Sequence, residues 1–286
     1  MMTSVKTSLI MEGGAMRGLF TCGVIDVFLE NGIEFDAAAG ISAGAVFGSN
    51  FKSKQNGRPL RYNLTFCDDP RYGSFRSLIK TGDLFEEELC YKLIPNELDV
   101  FDEKTYRENP MKFIVGATDI ETGRCVYHNC VNGDSEDMKW FQASASMPIV
   151  SRPVKVAGMK LLDGGIADSV PYAHMMRRGY DRNVIVLTRE KGYRKKKSPI
   201  LPLFDVALKG YPAVKETMAN RHIVYNRQMD EIDEMEKDGK VLVIRPSIPP
   251  AIGRLEKNPD ELRRVYDMGR IEAESSLEAV KEFLKR

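Results

Sequence analysis

The 286-residue sequence is poor in the residues that most often carry metal, redox and triad chemistry: it has three histidines, one tryptophan and five cysteines. The cysteines (Cys22, Cys67, Cys90, Cys125 and Cys130) are odd in number and form no close CxxC pair. That pattern excludes a zinc ribbon or dithiol motif and is read as buried, reduced thiols. No run reaches the ~18 apolar residues that a membrane-spanning helix needs. The polar start, Met1 to Ser8, lacks the apolar stretch and cleavage site of a secretory leader. A cytoplasmic protein, at most peripheral to a membrane, is expected. Net charge is +1, so no global field draws the chain to nucleic acid, and no such partner is expected. Repeats, low-complexity tails and linkers are absent, which favours one domain.

Hydrophobic periodicity supplies the elements. Ser8 to Met11 is a short apolar run that ends at Glu12-Gly13-Gly14, as a buried strand and tight turn would. Leu19, Phe20, Val24, Val27 and Phe28 recur at helical spacing, and Asn31-Gly32 stops that helix. Phe35 to Ala39 is a second strand and Ala45 to Phe51 a second helix, an order that implies an α/β fold with a parallel sheet. Hairpins are expected at Met111–His128, turning at Glu121-Thr122-Gly123, and at Val154–Leu162, turning at Ala157-Gly158. Asp137 to Ser146 and Pro171 to Arg178 suit helices, and Asn183 to Thr188 a strand. A basic run from Lys191 to Lys197 leads into a helical stretch ending near Asp238. Lys240 to Arg245 reads as the last strand and Pro259 to Arg286 as the closing helix. Residues 51–110 and 200–238 are weak in strand signal and mix aromatics such as Phe66, Tyr72, Phe75 and Phe85 with charges. Both are expected to cover the mouth of a site.

Three segments carry chemistry. Gly40-Ile41-Ser42-Ala43-Gly44 fits the G-x-S-x-G elbow, which holds a serine hydroxyl on a sharp strand-to-helix turn. The following helix N-terminus favours negative charge at that hydroxyl. The same five residues also fit an ordinary tight turn. Gly13-Gly14-Ala15-Met16-Arg17-Gly18 joins the first strand and helix. A dinucleotide loop would need G-x-G-x-x-G and an acidic residue closing the next strand, and neither is present. An oxyanion hole built from backbone N–H groups is the competing reading. Asp163-Gly164-Gly165 ends a strand in a constrained turn, compatible with an approachable carboxylate or a plain hairpin turn. His128, His174 and His222 do not follow the Ser…Asp…His order of α/β-hydrolases. No metal-ligand cluster is visible, and neither metal nor cofactor is expected. Arg17 suits either a lipid-phosphate contact or a structural tie. Arg177-Arg178 and Lys191 to Lys197 suit either anionic headgroups or a solvated surface.

Taken together, these three segments in this order resemble the patatin-like phospholipase family, bacterial members in particular. Ala143 to Pro148 is similar to that family's Ala-Ser-x-Ala-x-Pro segment. The likeness covers roughly residues 7 to 190. It implies a three-layer α/β/α sandwich with a mostly parallel central sheet. Residues 7–190 would form the catalytic core, and residues 191–286 a helical cap, last strand and helix of the same domain. It further implies a lipid acyl-ester hydrolase working through a Ser–Asp dyad and an acyl-enzyme. Ser42 would be the nucleophile and Asp163 the base, with the Gly13–Gly18 loop as oxyanion hole. Lipid or acyl-ester substrates and peripheral membrane contact go with that expectation. A non-enzymatic, patatin-like lipid-binding or regulatory protein is the alternative. One departure stands out: the family loop usually has a third consecutive glycine where this chain has Ala15, and alanine resists positive φ.

Overall fold

The computed structural model describes residues 5–285; residues 1–4 and Arg286, which include part of the polar start and the end of the expected closing helix, lie outside the described residues. β1 (Thr7–Met11) passes through a 3₁₀ turn (Ala15–Gly18) into α1 (Leu19–Glu30), and β2 (Ala37–Ile41) leads into α2 (Ala43–Lys52). Short helices follow: α3 (Arg58–Phe66), α4 (Phe75–Thr81), a π-helical stretch (Leu89–Leu98) and α5 (Glu103–Glu108). A hairpin of β3 (Lys112–Asp119) and β4 (Cys125–Cys130) precedes α6 (Ser135–Ser144), and a second joins β5 (Val154–Val156) to β6 (Met159–Asp163). The chain closes with α7 (Tyr172–Arg177), β7 (Arg182–Val186), α8 (Leu201–Ala207), α9 (Pro212–Lys237), β8 (Val241–Ile244) and α10 (Pro259–Lys285). Strand β2 starts two residues later than its apolar run. Asp36 is the reason: its Oδ2 accepts hydrogen bonds from the Thr7 N–H at 2.7 Å and the Thr7 hydroxyl at 3.0 Å, tying the strand entry to β1.

These strands form one mixed, mostly parallel sheet in the order β5-β6-β3-β2-β1-β7-β8, with β4 also paired to β3. The run from β3 to β8 is parallel, while β4, β5 and β6 pair antiparallel. Strand side chains alternate between faces. Leu9, Met11, Ala38 and Val184 pack with Phe20, Val24, Phe47 and Val265 on one side. Ile10, Ala39 and Ile185 pack with Tyr172, Met175, Tyr225 and Ile232 on the other. Helices therefore cover both faces, giving the three-layer α/β arrangement. None of the helices among the described residues is long and apolar enough to cross a membrane.

The C-terminal part is joined to the rest by close contact. β8 pairs parallel to β7, and Phe204, Leu208, Val214 and Met218 pack on Ile120, Leu162 and Ile166. α10 crosses α1 at two glycines. A Cβ on Gly269 would stand 1.9 Å from the Phe20 carbonyl oxygen, and one on Gly23 2.1 Å from that of Tyr266. Beside this crossing the Tyr266 hydroxyl donates to Asp26 Oδ2 at 2.8 Å. We propose on this basis that residues 191–286 complete the domain that residues 7–190 begin. Gly269→Val should then force α1 and α10 apart and cost about 3 kcal/mol or more, as core overpacking with no room to relax does. Urea unfolding checks this, and the loss should appear in a single transition spanning the whole chain.

Candidate active site

Ser42 sits between β2 and α2 with φ +54° and ψ −122°. A non-glycine residue there is strained by roughly 1–3 kcal/mol and persists only where its surroundings hold it. Its N–H donates to Ser144 Oγ at 2.8 Å, and Ser144 Oγ donates to the Gly116 carbonyl at 2.6 Å. Its carbonyl accepts the first N–H groups of α2, from Ala45 and Val46. The flanking glycines are required by contact distance. A Cβ on Gly40 would lie 2.3 Å from the Gly44 oxygen, and one on Gly44 2.4 Å from the Met11 oxygen.

Asp163 ends β6 and is only 2% exposed. Ser42 Oγ donates to its Oδ2 at 2.7 Å, and the Gly165 N–H donates to its Oδ1 at 2.7 Å. Its backbone is fixed as well: its N–H reaches the Ser146 carbonyl at 2.8 Å, and its carbonyl accepts from the Thr118 hydroxyl at 2.8 Å. Burial raises its carboxyl above the usual carboxylate range. Arg221, the Ser42 hydroxyl, the Gly165 N–H and Lys195 pull it back down.

The glycine-rich loop lies against the serine. A Cβ on Gly13 would come 2.9 Å from Ser42 Cβ, and Ala15 and Met16 line the same cavity as Ser42 and Asp163. Met16 and Gly18 are buried, and Arg17 is half-buried. That cavity holds about 270 Å³, with Phe47, Tyr62, Tyr72, Tyr91, Ile94 and Phe141 among its walls.

The model of the family described as patatin-like phospholipase matches residues 9–176, more than half of the chain. The chain belongs to that family. A second family model, a domain of unknown function, matches residues 211–285. The uncharacterized protein YjjU of Escherichia coli is 26% identical over 196 residues, 64% of this chain and 52% of YjjU. An uncharacterized NTE family protein of Mycobacterium tuberculosis is 24% identical over 64% of this chain and 49% of its own length. Lysophospholipase nte1 of Aspergillus niger is 22% identical over 96% of this chain and 18% of its own length. The chain thus spans about half or less of these curated relatives. Among solved structures, VipD from Legionella pneumophila aligns at TM-score 0.46 and 14% identity, covering 97% of this chain and 67% of VipD.

Within this patatin-like chain the three sequence motifs meet at one point, the C-terminal ends of β1, β2 and β6. The histidines lie elsewhere. His128 stacks on Trp140 at 4.5 Å, and His174 stacks on Tyr127 at 3.7 Å. Burial, with Arg178 and Arg177 nearby, lowers the His174 imidazole to about 4. None of the three histidines lines the cavity. The sequence displayed no metal-ligand cluster, yet folding brings ligand atoms of His128, Cys130 and Asp137 within 4.8 Å of one another. The signal was the His-x-Cys spacing on β4, and its third member comes from α6. Asp137 also ties down the intervening loop, its Oδ2 accepting the N–H groups of Asn132 and Gly133 at 2.8 and 2.7 Å.

Two expectations about the surrounding segments divide. Residues 51–110 do wall the cavity, through Arg58, Tyr62, Tyr72, Phe85 and the π-helical Tyr91 and Ile94. Phe75, however, is 68% exposed. Residues 200–238 do not line the cavity. Instead α9 packs behind the Asp163 turn: Arg221 Nε donates to the Gly165 carbonyl, and the Tyr225 hydroxyl donates to Glu12 Oε1 at 2.9 Å. Loop residues Arg254 and Leu255 line the cavity in its place. Ser144, which holds the Ser42 N–H, comes from the Ala143–Pro148 segment that the sequence singled out, whereas Thr118, which holds the Asp163 carbonyl, gave no signal there. Buried Glu12, whose Oε2 accepts the Thr188 N–H at 2.6 Å, was missed from sequence as well.

Ala15 adopts φ +50°. The position where the family usually has glycine is left-handed here in spite of the methyl group, at a cost of roughly 1–2 kcal/mol. Ala15→Gly should relieve that strain. After the greater entropy of glycine in the unfolded chain is subtracted, a gain of up to about 1 kcal/mol is expected. Thermal melts of the two proteins test this; a lower melting point for the glycine variant would show that the methyl group itself supports the loop.

Proposed function

We propose that this chain hydrolyses carboxylic esters of lipids, with Ser42 as nucleophile and Asp163 as its base. The observation that carries this reading is the 2.7 Å hydrogen bond from Ser42 Oγ to Asp163 Oδ2, made where an apolar cavity opens. Family membership and the lysophospholipase names of relatives support the lipid class. In the mechanism the Ser42 proton passes to Asp163 Oδ2 as Oγ bonds to the ester carbonyl carbon. The oxyanion is held by backbone N–H groups of the Gly13–Gly18 loop. The N–H groups of Gly13 and Gly14 take no protein acceptor among the described residues, which suits that role. The ester C–O bond then breaks, and the proton moves from Asp163 to the leaving alcohol. Water attacks the acyl-enzyme and gives a proton to Asp163; the C–Oγ bond then breaks, the proton passes from Asp163 to Ser42 Oγ, and the fatty acid leaves. An aspartate is a weak base toward a hydroxyl, so oxyanion stabilisation carries much of the rate, with one donor typically worth about 3 kcal/mol. A strained serine already bonded to a carboxylate favours this reading over a non-catalytic lipid carrier.

The same reading extends to a lipid surface. Phe75 and Ile79, 68% and 87% exposed, stand one turn apart on α4. Arg76 and Lys80 lie on the same helix, and the chain runs straight on into Asp83, Leu84 and Phe85 of the cavity wall. An apolar pair framed by cations suits the boundary of a lipid layer.

Asp163→Asn should lower kcat on a short-chain ester by about 10² to 10⁴, the usual cost of losing a positioned base. Glutamine in place of each histidine should leave most of the activity. Normal turnover by the Asp163 variant beside a dead histidine variant would overturn the dyad.

The pH behaviour follows from the raised carboxyl. Catalysis needs Asp163 ionised, so kcat falls as pH drops through a value above the ordinary aspartate range of ~3.9. Stability runs the opposite way. A group whose folded pKa is raised contributes stability below its unfolded pKa, and that contribution is lost as pH rises through the folded value. At neutral pH the charged form is therefore a burden on the fold. Asp163→Asn should melt no lower than the parent at pH 7, and a clear loss of stability would show the carboxylate to be structural.

A further inference from the structure

Five cations gather at the rim of the site, Arg17 from the glycine-rich motif and the other four from outside the three motifs. Arg17, Arg189, Lys195, Arg221 and Arg254 converge beside the dyad. Arg254 lines the cavity together with Ser42 and Asp163, and its charge acts on Arg17, Lys195 and Arg221. Arg221 is anchored on the carbonyl of Gly165. Lys195 is held in place because the loop carrying it is pinned to α9. Its N–H donates to Asn226 Oδ1 at 2.8 Å, and the Asn226 amide donates to its carbonyl at 3.0 Å.

These cations lack matching anions. None of the five makes an ion pair with a carboxylate among the described residues. Glu12 is the carboxylate nearest in effect besides Asp163, and its two oxygens are committed to Thr188 and Tyr225. The Nε of Arg17 is buried without a hydrogen-bond partner. A buried donor without a partner among like charges is costly unless an anion reaches it. Burial and its cationic neighbours lower Lys195 to about 7, so the repulsion within the cluster is felt. Two of these cations lie over aromatic rings, Lys195 Nζ on Tyr225 at 4.1 Å and Arg189 on Tyr193 at 4.3 Å.

We propose that this cluster is a subsite for the phosphate of a lipid with a net negative head group, making the enzyme selective for anionic over zwitterionic lipids. The proposal deepens the hydrolase reading and rests on it for the position of the scissile ester. Acyl chains would occupy the aromatic-walled cavity on one side of Ser42, and the head group would meet the cations on the other.

Binding tests this apart from catalysis. Full-length Ser42→Ala protein is titrated by calorimetry with dihexanoyl phosphatidylglycerol and dihexanoyl phosphatidylcholine, both kept monomeric so that no charged surface contributes. The anionic lipid should bind at least about tenfold more tightly, the scale of one charge-assisted hydrogen bond. Adding Lys195→Gln and Arg254→Gln should bring the two affinities together. Lys197→Gln, an exposed lysine outside the cluster, should leave the difference intact. Arg254 is exposed on a loop, so Arg254→Gln alone preserves the test if the double variant does not fold. Equal affinities, or a difference that survives removal of Lys195 and Arg254, would overturn the proposal. Inorganic phosphate binding as tightly as the anionic lipid would also overturn it, by assigning the cluster to a free anion. Turnover of a neutral p-nitrophenyl ester by the parent protein reports on the hydrolase reading separately.

Discussion

The hydrogen bond between Ser42 and Asp163 joins residues 121 positions apart in the chain, and its geometry leaves little freedom to what surrounds it. Ser42 must stand on a strained turn, so β2 has to end where α2 begins, and Gly40 and Gly44 have to pass backbone against backbone. Asp163 must arrive from the other direction, which the antiparallel β6 achieves by pairing with the far end of β3. Ser144 and Thr118 then lock both turns from β3 and α6. The mixed sheet is thus a means of bringing a parallel strand end and an antiparallel strand end within one hydrogen bond.

Burial gives that contact its chemical character. Asp163 is almost fully enclosed, which disfavours its charge, while Arg221 and Lys195 restore part of what burial removes. A carboxylate balanced in this way accepts a proton more readily than an exposed one. Both cations come from the chain beyond the motif region: Arg221, whose Nε donates to the Gly165 carbonyl of the Asp163 turn, from α9, and Lys195 from the loop between β7 and α8. The apolar cavity that holds Ser42 and Asp163 also takes in Arg254, one of the cations gathered near Asp163.

Much of this was legible in the sequence because the information is local. Strand and helix periods, glycine turns and the three motifs each occupy a few consecutive residues, and the hairpins at Thr122-Gly123 and Ala157-Gly158 are set by their own turns. Ala15 was visible as a departure, but the +50° backbone it adopts was not. What escaped was assembled across long separations. Arg17, Lys195, Arg221 and Arg254 share no spacing, and the basic run of Lys191 to Lys197 gave no sign that only Lys195 turns toward the dyad. The helical period of residues 212–237 was evident, but it did not reveal which face of the sheet α9 covers. The π-helical wall was equally hidden, since Pro95 within an apolar run reads as a break in a helix.

Covalent capture tests the dyad most directly. A fluorophosphonate bonds to a serine whose hydroxyl is activated, and peptide mass spectrometry locates the adduct. The expected result is a single adduct on the peptide carrying Ser42, absent in Ser42→Ala and formed far more slowly in Asp163→Asn. An adduct on another residue, or labelling of Asp163→Asn at the parent rate, would contradict the assignment of Ser42 and Asp163 as nucleophile and base.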